Sequence, residues 1–191
     1  MRSFFVLLML VAHLSIHGQS LVYDAFLRGQ QVGEMRLQKE VSDNKTSITS
    51  TTHIEAHLLF TLTVDIEIES IYQHGILVES NAVSKQNGNI HSEVSIYRNE
   101  DAYTLMIDGE KSALNHAALL GADIFYFEEP KQMKHAIALA SGEYLTIEKD
   151  ADHRYFFVHD GKKERHLYET DTLQRVEIEH SLYTITLKRR K

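Results

Sequence analysis

The chain has no cysteine, no tryptophan, and one proline in 191 residues. Without cysteine there are no disulfides, thiolate metal sites, iron–sulfur clusters or thiol nucleophiles. Blocks of like charge are missing as well. Acidic and basic residues alternate under a net charge of −7, so no basic stripe marks a nucleic-acid partner. The one basic cluster, Lys188 to Lys191, reads as a solvated tail. A membrane-length apolar run is also absent: Phe4 to Leu14, interrupted by His13, is about half of the ~20 residues a spanning helix needs. With Arg2 before it and Gly18, Gln19 and Ser20 behind it, the run reads as a secretory signal cleaved after Gly18 or Ser20. The expected organisation is therefore a signal over residues 1–20 and a single β-rich domain over 21–191, not membrane-spanning once the signal is removed. An exported chain without disulfides depends on strand pairing and core packing, which suits a bacterial periplasmic or extracellular protein better than a stapled animal secreted domain.

What the chain does have is period-two alternation. In "TSTTHIEAHLLFTLTVDIEIESIY" the even positions Ile54, Ala56, Leu58, Phe60, Leu62, Val64, Ile66 and Ile68 are all apolar, and the odd ones from Thr51 through Glu69 are polar except Leu59. This predicts one very long strand, or two joined by a bend, with one face on a core and the other in water. Turn signals follow at short intervals: His74-Gly75, Asn87-Gly88, Asp108-Gly109 and Asp160-Gly161. Asn-Gly and Asp-Gly tolerate positive φ and mark hairpins, so the strands follow one another as an antiparallel meander. In "LQRVEIEHSLYTITLK" the apolar phase moves from even (Val176, Ile178) to odd (Tyr183, Ile185, Leu187), which predicts a bulge near His180-Ser181. One stretch departs from the pattern: "SALNHAALLGAD" offers Ser112 as an N-cap, an Ala/Leu body and Gly121 as a stop, and predicts a short helix over 112–121. The expected fold class is mainly β: an antiparallel meander forming a curved sheet, half-barrel or barrel, with this helix packed on its apolar face.

Gly29 and Gly33 in "LVYDAFLRGQQVGEMRLQKEV" invite a phosphate-loop reading, but no helix follows to place its N-terminus on a phosphate. Gly29 is expected in a turn, and Gly33 to be a strand glycine that permits a bulge or the close approach of a neighbour.

Few residues suggest chemistry. His53, Glu55 and His57 share one face of a strand at steps of roughly 6.6 Å, a spacing open to a His₂Glu metal set but equally the polar side of an amphipathic strand. Glu128 and Glu129 are neighbours and point to opposite faces if they lie on a strand. There is no Gly-x-Ser-x-Gly elbow and no paired catalytic motif. We therefore expect no enzyme, no cofactor and no committed metal site. The aromatic group Phe125, Tyr126, Phe127, Tyr155, Phe156, Phe157 and Tyr168 is open to two readings, a core with its rim or the lining of an apolar pocket.

The stretches "YDAFLRGQQVGEM", "FYFEEPK" and "RYFFVHDGKKERHLYE" together resemble an uncharacterised family of exported bacterial proteins defined only as a domain of unknown function. A glycine expected shortly after Leu167-Tyr168 is absent from "ETDTLQ". More remotely, a long meander with a helix across its concave face is similar to the periplasmic lipoprotein carriers. That likeness implies an apolar wall at Ile54, Leu58, Phe60, Leu62, Val64 and Ile66, with Leu114 and Leu120 of the helix as its cover. The expected function is a non-enzymatic envelope protein that binds an apolar ligand or a lipidated partner on a curved sheet. The alternative is an interaction protein with a filled core and no small-molecule ligand.

Overall fold

The computed structural model describes residues 17–57, 61–100, 102–179 and 183–191. Among these, fourteen strands follow in order: β1 (His17–Leu27), β2 (Gln30–Ser42), β3 (Lys45–His57), β4 (Thr61–Gln73), β5 (Ile76–Gln86), β6 (Asn89–Asn99), β7 (Ala102–Ile107), β8 (Glu110–Leu114), β9 (His135–Ile137), β10 (Tyr144–Ala151), β11 (Arg154–His159), β12 (Lys162–Glu169), β13 (Thr172–Glu179) and β14 (Thr184–Arg189). They form one antiparallel sheet in the order β8-β7-β6-β5-β4-β3-β2-β1-β14-β13-β12-β11-β10-β9. Two meanders are joined where β1 meets β14, with Tyr23 facing Arg189 and Leu27 facing Ile185. The sheet curves without closing, and β8 and β9 are its edges. β1 already begins at His17, so the signal's expected exit, Gly18 to Ser20, is the exposed end of a strand paired with Gln38 to Glu40. The apolar run before it lies outside the described residues.

The turns have the left-handed backbone that tight hairpins need. Arg28-Gly29, His74-Gly75, Asn87-Gly88, Asp108-Gly109 and Asp160-Gly161 all take φ between 45° and 87°. Thr170 and Asp171 adopt the same geometry, φ 50° and 66°, without the glycine expected in "ETDTLQ". Gly33 serves a different need. Ala25 faces Gly33 while Phe26 faces Gln31, so Val32 is the extra residue of a bulge, and a Cβ on Gly33 would lie 2.0 Å from the His53 carbonyl oxygen.

Two expectations need correction, and a third falls on residues outside those described. The alternation from 54 to 68 is neither one strand nor two joined by a bend: it is shared between the antiparallel partners β3 and β4, where Ala56 faces Leu62 and His57 faces Thr61. No bulge enters the described pairs of the last hairpin, where Val176 faces Leu187 and Ile178 faces Ile185 without a register shift. His180 and Ser181 themselves lie outside the described residues.

The helix over 112–121 does not form either. Ser112 faces Leu105 and Leu114 faces Tyr103 within β8. Beyond β8, the Leu77 N–H donates to the Leu119 carbonyl (3.0 Å), the Ile137 N–H to the Leu120 carbonyl (2.9 Å), and the Leu119 N–H to the Tyr103 hydroxyl (3.1 Å). Strands on both sides thus take the backbone groups a helix would use. Burial of Leu119 adds to this, and together they outweigh a propensity of tenths of a kcal/mol per residue. The helical element found next is a single 3-10 turn, Ala122–Tyr126, which carries Asp123, Ile124 and Phe125 into the interior as a plug.

Tyr103 fastens this arrangement, since its hydroxyl also donates to the Leu77 carbonyl (2.7 Å). Tyr103→Phe is expected to lower stability by about 2 kcal/mol, because a buried N–H and a buried carbonyl lose their shared partner. Hydrogen exchange at Leu119 should accelerate more than exchange at Ile48 in β3. Equal protection at both would contradict the fastening role.

Candidate apolar binding site

The interior has a filled end and an open end. At the filled end the plug is gripped from several strands. The Tyr168 hydroxyl donates to the Phe125 carbonyl (2.8 Å), and the Tyr23 ring meets Tyr126 edge-on with centroids 5.4 Å apart. Phe125 meets Phe157 edge-on with centroids 5.6 Å apart. Asp123 is buried and accepts hydrogen bonds from the hydroxyls of Ser70 and Tyr72. Burial raises the Asp123 carboxyl above its ordinary range, and these donors only partly offset that. Glu129, its side chain 3% exposed, ties the segment after the plug to the β10–β11 hairpin. It accepts from the Tyr155 hydroxyl at 2.7 Å and lies 2.9 Å from His153 Nδ1. Desolvation, reinforced by this bond, pushes Tyr155 up to about 12. The aromatic group is here mostly core with its rim. Phe125, Tyr155, Phe157 and Tyr168 are buried, while Phe156 lies under the cations of Lys163 and Arg165.

The open end has no plug. Ile54, Leu62, Val64 and Ile66 form one wall of an apolar cavity of about 270 Å³, with Ala56 beside them; Leu27, Ile178, Tyr183 and Ile185 form the other. Cross-strand register explains the hollow between the walls. Ala25, Gly33 and Ile54 face one another in sequence on β1, β2 and β3, so two small residues stand between large ones. Leu62, Val64 and Ile66 are only half-buried although their neighbours on β4 towards the plug, Ser70 and Tyr72, are fully covered.

Four of the sequence-predicted wall residues are thus brought together. Leu58 and Phe60 lie outside the described residues. Leu114 and Leu120 do not join the wall: Leu114 is at the sheet edge against Tyr103, and Leu120 lines a separate depression with Ile76, His135 and Tyr144. The cover the resemblance implied is not there. The second wall was missed, because Leu27, Ile178 and Ile185 meet only once β1 pairs with β14.

Two polar residues also escaped notice. Phe157, Glu164, Ile178, Ile185 and Leu27 face one another across β11, β12, β13, β14 and β1. Glu164 is the one charge in that inward row, and three of its members line the cavity. One row deeper, His166 stands between Tyr155 and Val176. It is 2% exposed, stacks on Phe157 with centroids 4.1 Å apart, and neither ring nitrogen has a hydrogen-bond partner.

The histidines that did draw notice sit on the outer face. His53 Nδ1 is 2.6 Å from Asp65 Oδ1, whereas His57 approaches Thr61 (3.0 Å) and Glu55 (3.5 Å). Their side chains take separate partners. Among the described residues no group of three or more such side chains converges as a metal site.

The family model described as "Domain of unknown function (DUF6134)" matches residues 23–190. The chain belongs to the DUF6134 family. Its boundaries take in both walls of the cavity and the whole plug. Among solved structures, the DUF6134 chain is similar to a beta-barrel-like protein of the domain of unknown function DUF1849 from Brucella abortus, with a TM-score of 0.55 over 94% of this chain and 98% of that one. The two are 10% identical, so the likeness is one of fold. No curated protein matches the chain at a significant level. Among the described residues no helix is long and apolar enough to cross a membrane.

Proposed function

We propose that this DUF6134 protein is an exported, non-enzymatic protein of the bacterial envelope that binds an apolar ligand in the open end of its curved sheet. The observation that carries the reading is the two-walled cavity, whose half-buried Leu62, Val64 and Ile66 face Ile178 and Ile185 across small residues. Covering such surface releases roughly 25 cal/mol per Å² of apolar area, the driving force a hydrophobic occupant needs. The alternative of a wholly filled core describes the plugged end alone.

Native mass spectrometry of the protein, purified from its exported form without detergent and followed by organic extraction, tests this reading. An apolar molecule at about one per chain is expected, and it should be lost in Val64→Glu, which places a charge in the wall. A bare mass from the unaltered protein would overturn the binding reading in favour of an interaction protein.

A further inference from the structure

The cavity lining is apolar, and β12 borders it where Glu164 faces the lining residue Ile178. Glu164 occupies the same inward row as Ile178, Ile185 and Leu27, and its side chain is 45% exposed. His166 follows two residues deeper on the same face, and its Nε2 lies 3.6 Å from Glu164 Oε2, too long for a direct hydrogen bond. Buried polar atoms without partners are uncommon in folded proteins, and here an imidazole leaves both nitrogens unpaired beside a carboxylate that is not bonded to it. Phe157 holds the ring flat by stacking, and Tyr126 packs against it edge-on at 6.2 Å. The ring is thus fixed in orientation while its hydrogen-bonding capacity stays open.

We propose that the cavity selects single-chain amphiphiles with a neutral hydroxyl or amide head group, which the His166–Glu164 pair holds, and that it discriminates against free fatty acids. This rests on the binding reading given above and assigns the ligand class. A hydroxyl both donates and accepts, so it can give its proton to Glu164 and receive the imidazole N–H, completing both groups at once. A fatty-acid carboxylate brings a second negative charge beside Glu164, where apolar surroundings weaken screening. A ligand with no polar head leaves the pair unsatisfied, and a site built to hydrogen-bond rejects such analogues. The apolar tail would then run from this pair between Ile178 and the Val64 wall.

The test uses the intact exported protein with Nile red as a head-group-independent probe, displaced by 1-monooleoylglycerol or by oleate at neutral pH. Monooleoylglycerol is expected to displace the dye at concentrations about tenfold lower than oleate, the size of one well-placed polar interaction. His166→Phe keeps the stacked ring and should weaken monooleoylglycerol about fivefold relative to the dye. Glu164→Gln, which removes the charge on a half-exposed side chain, should strengthen oleate and narrow the gap. Dye binding with the two amphiphiles equal, or with a preference that neither variant alters, overturns the head-group assignment while the cavity reading stands. No binding of dye or amphiphile overturns both.

Discussion

Asp123→Ala is expected to lower the stability of the fold by about 3 kcal/mol, as two buried hydroxyls each lose the acceptor that desolvation makes necessary. Ser70 and Tyr72 reach Asp123 from β4, and they face Ile48 and Thr46 of β3, so the carboxyl joins the plug to the middle of the first meander. The group accepts from both hydroxyls whether or not it carries a proton. Urea denaturation measures the loss, and a change below about 1 kcal/mol would mean that the plug is held by its aromatic contacts alone. The same residue imposes a pH dependence. Burial raises its folded pKa above the ordinary 3.8, so the folded state keeps the proton longer than the unfolded chain does. Its contribution is then fully present below about pH 3.8 and declines as pH rises through the folded value. Asp123→Asn removes that slope, which denaturation curves taken at a series of pH values will show.

Gly33→Ala should cost a similar amount by an opposite route. The added Cβ would stand 2.0 Å from the His53 carbonyl oxygen and 2.8 Å from the Ile54 Cα, both backbone atoms that no rotamer change can move. β2 and β3 must part, and a loss of about 3 kcal/mol is expected, at the upper end for overpacking. Because Gly33 lies between Ala25 and Ile54, the strand displacement also shifts one wall of the cavity. Thermal unfolding with Nile red binding as a second readout separates the two effects. An unchanged melting temperature would contradict the close approach of the strands.

The hairpin grammar was legible because turn chemistry is local. Gly29, Gly75, Gly88, Gly109 and Gly161 stand where positive φ is needed, and Gly33 announced a close contact. Phase proved less transparent. Ala56 faces Leu62, so residues paired across β3 and β4 have the same parity and the change of direction leaves no trace in the alternation. Ile178 faces Ile185, so residues paired across β13 and β14 have opposite parity, and the apolar phase shifts without any bulge in the described pairs. The segment after Ser112 was misread because its partners, Leu77, Tyr103 and Ile137, lie far away along the chain. The site followed the same division. Ile54, Leu62, Val64 and Ile66 were visible as one stripe, but their counterparts required the pairing of β1 with β14. His166 and Glu164 were hidden because both parities of "KKERHLYE" mix polar and apolar residues, leaving the inward face undecided.

The junction of β1 with β14 also sets an order in time. Every other strand pair in the sheet joins neighbours along the chain, and most can form as soon as a hairpin has been synthesised. β1 must keep one flank unpaired until residues about its own partner, Ile185 to Arg189, have been made, and an unpaired flank invites foreign strands. Arg190 then clips the finished junction by pairing with Asp24 and, at 2.9 Å, with Glu34. One wall of the cavity belongs to the first meander and part of the other to the second. The two-walled cavity is therefore the last feature this chain completes as it folds, and the first to go when the junction opens.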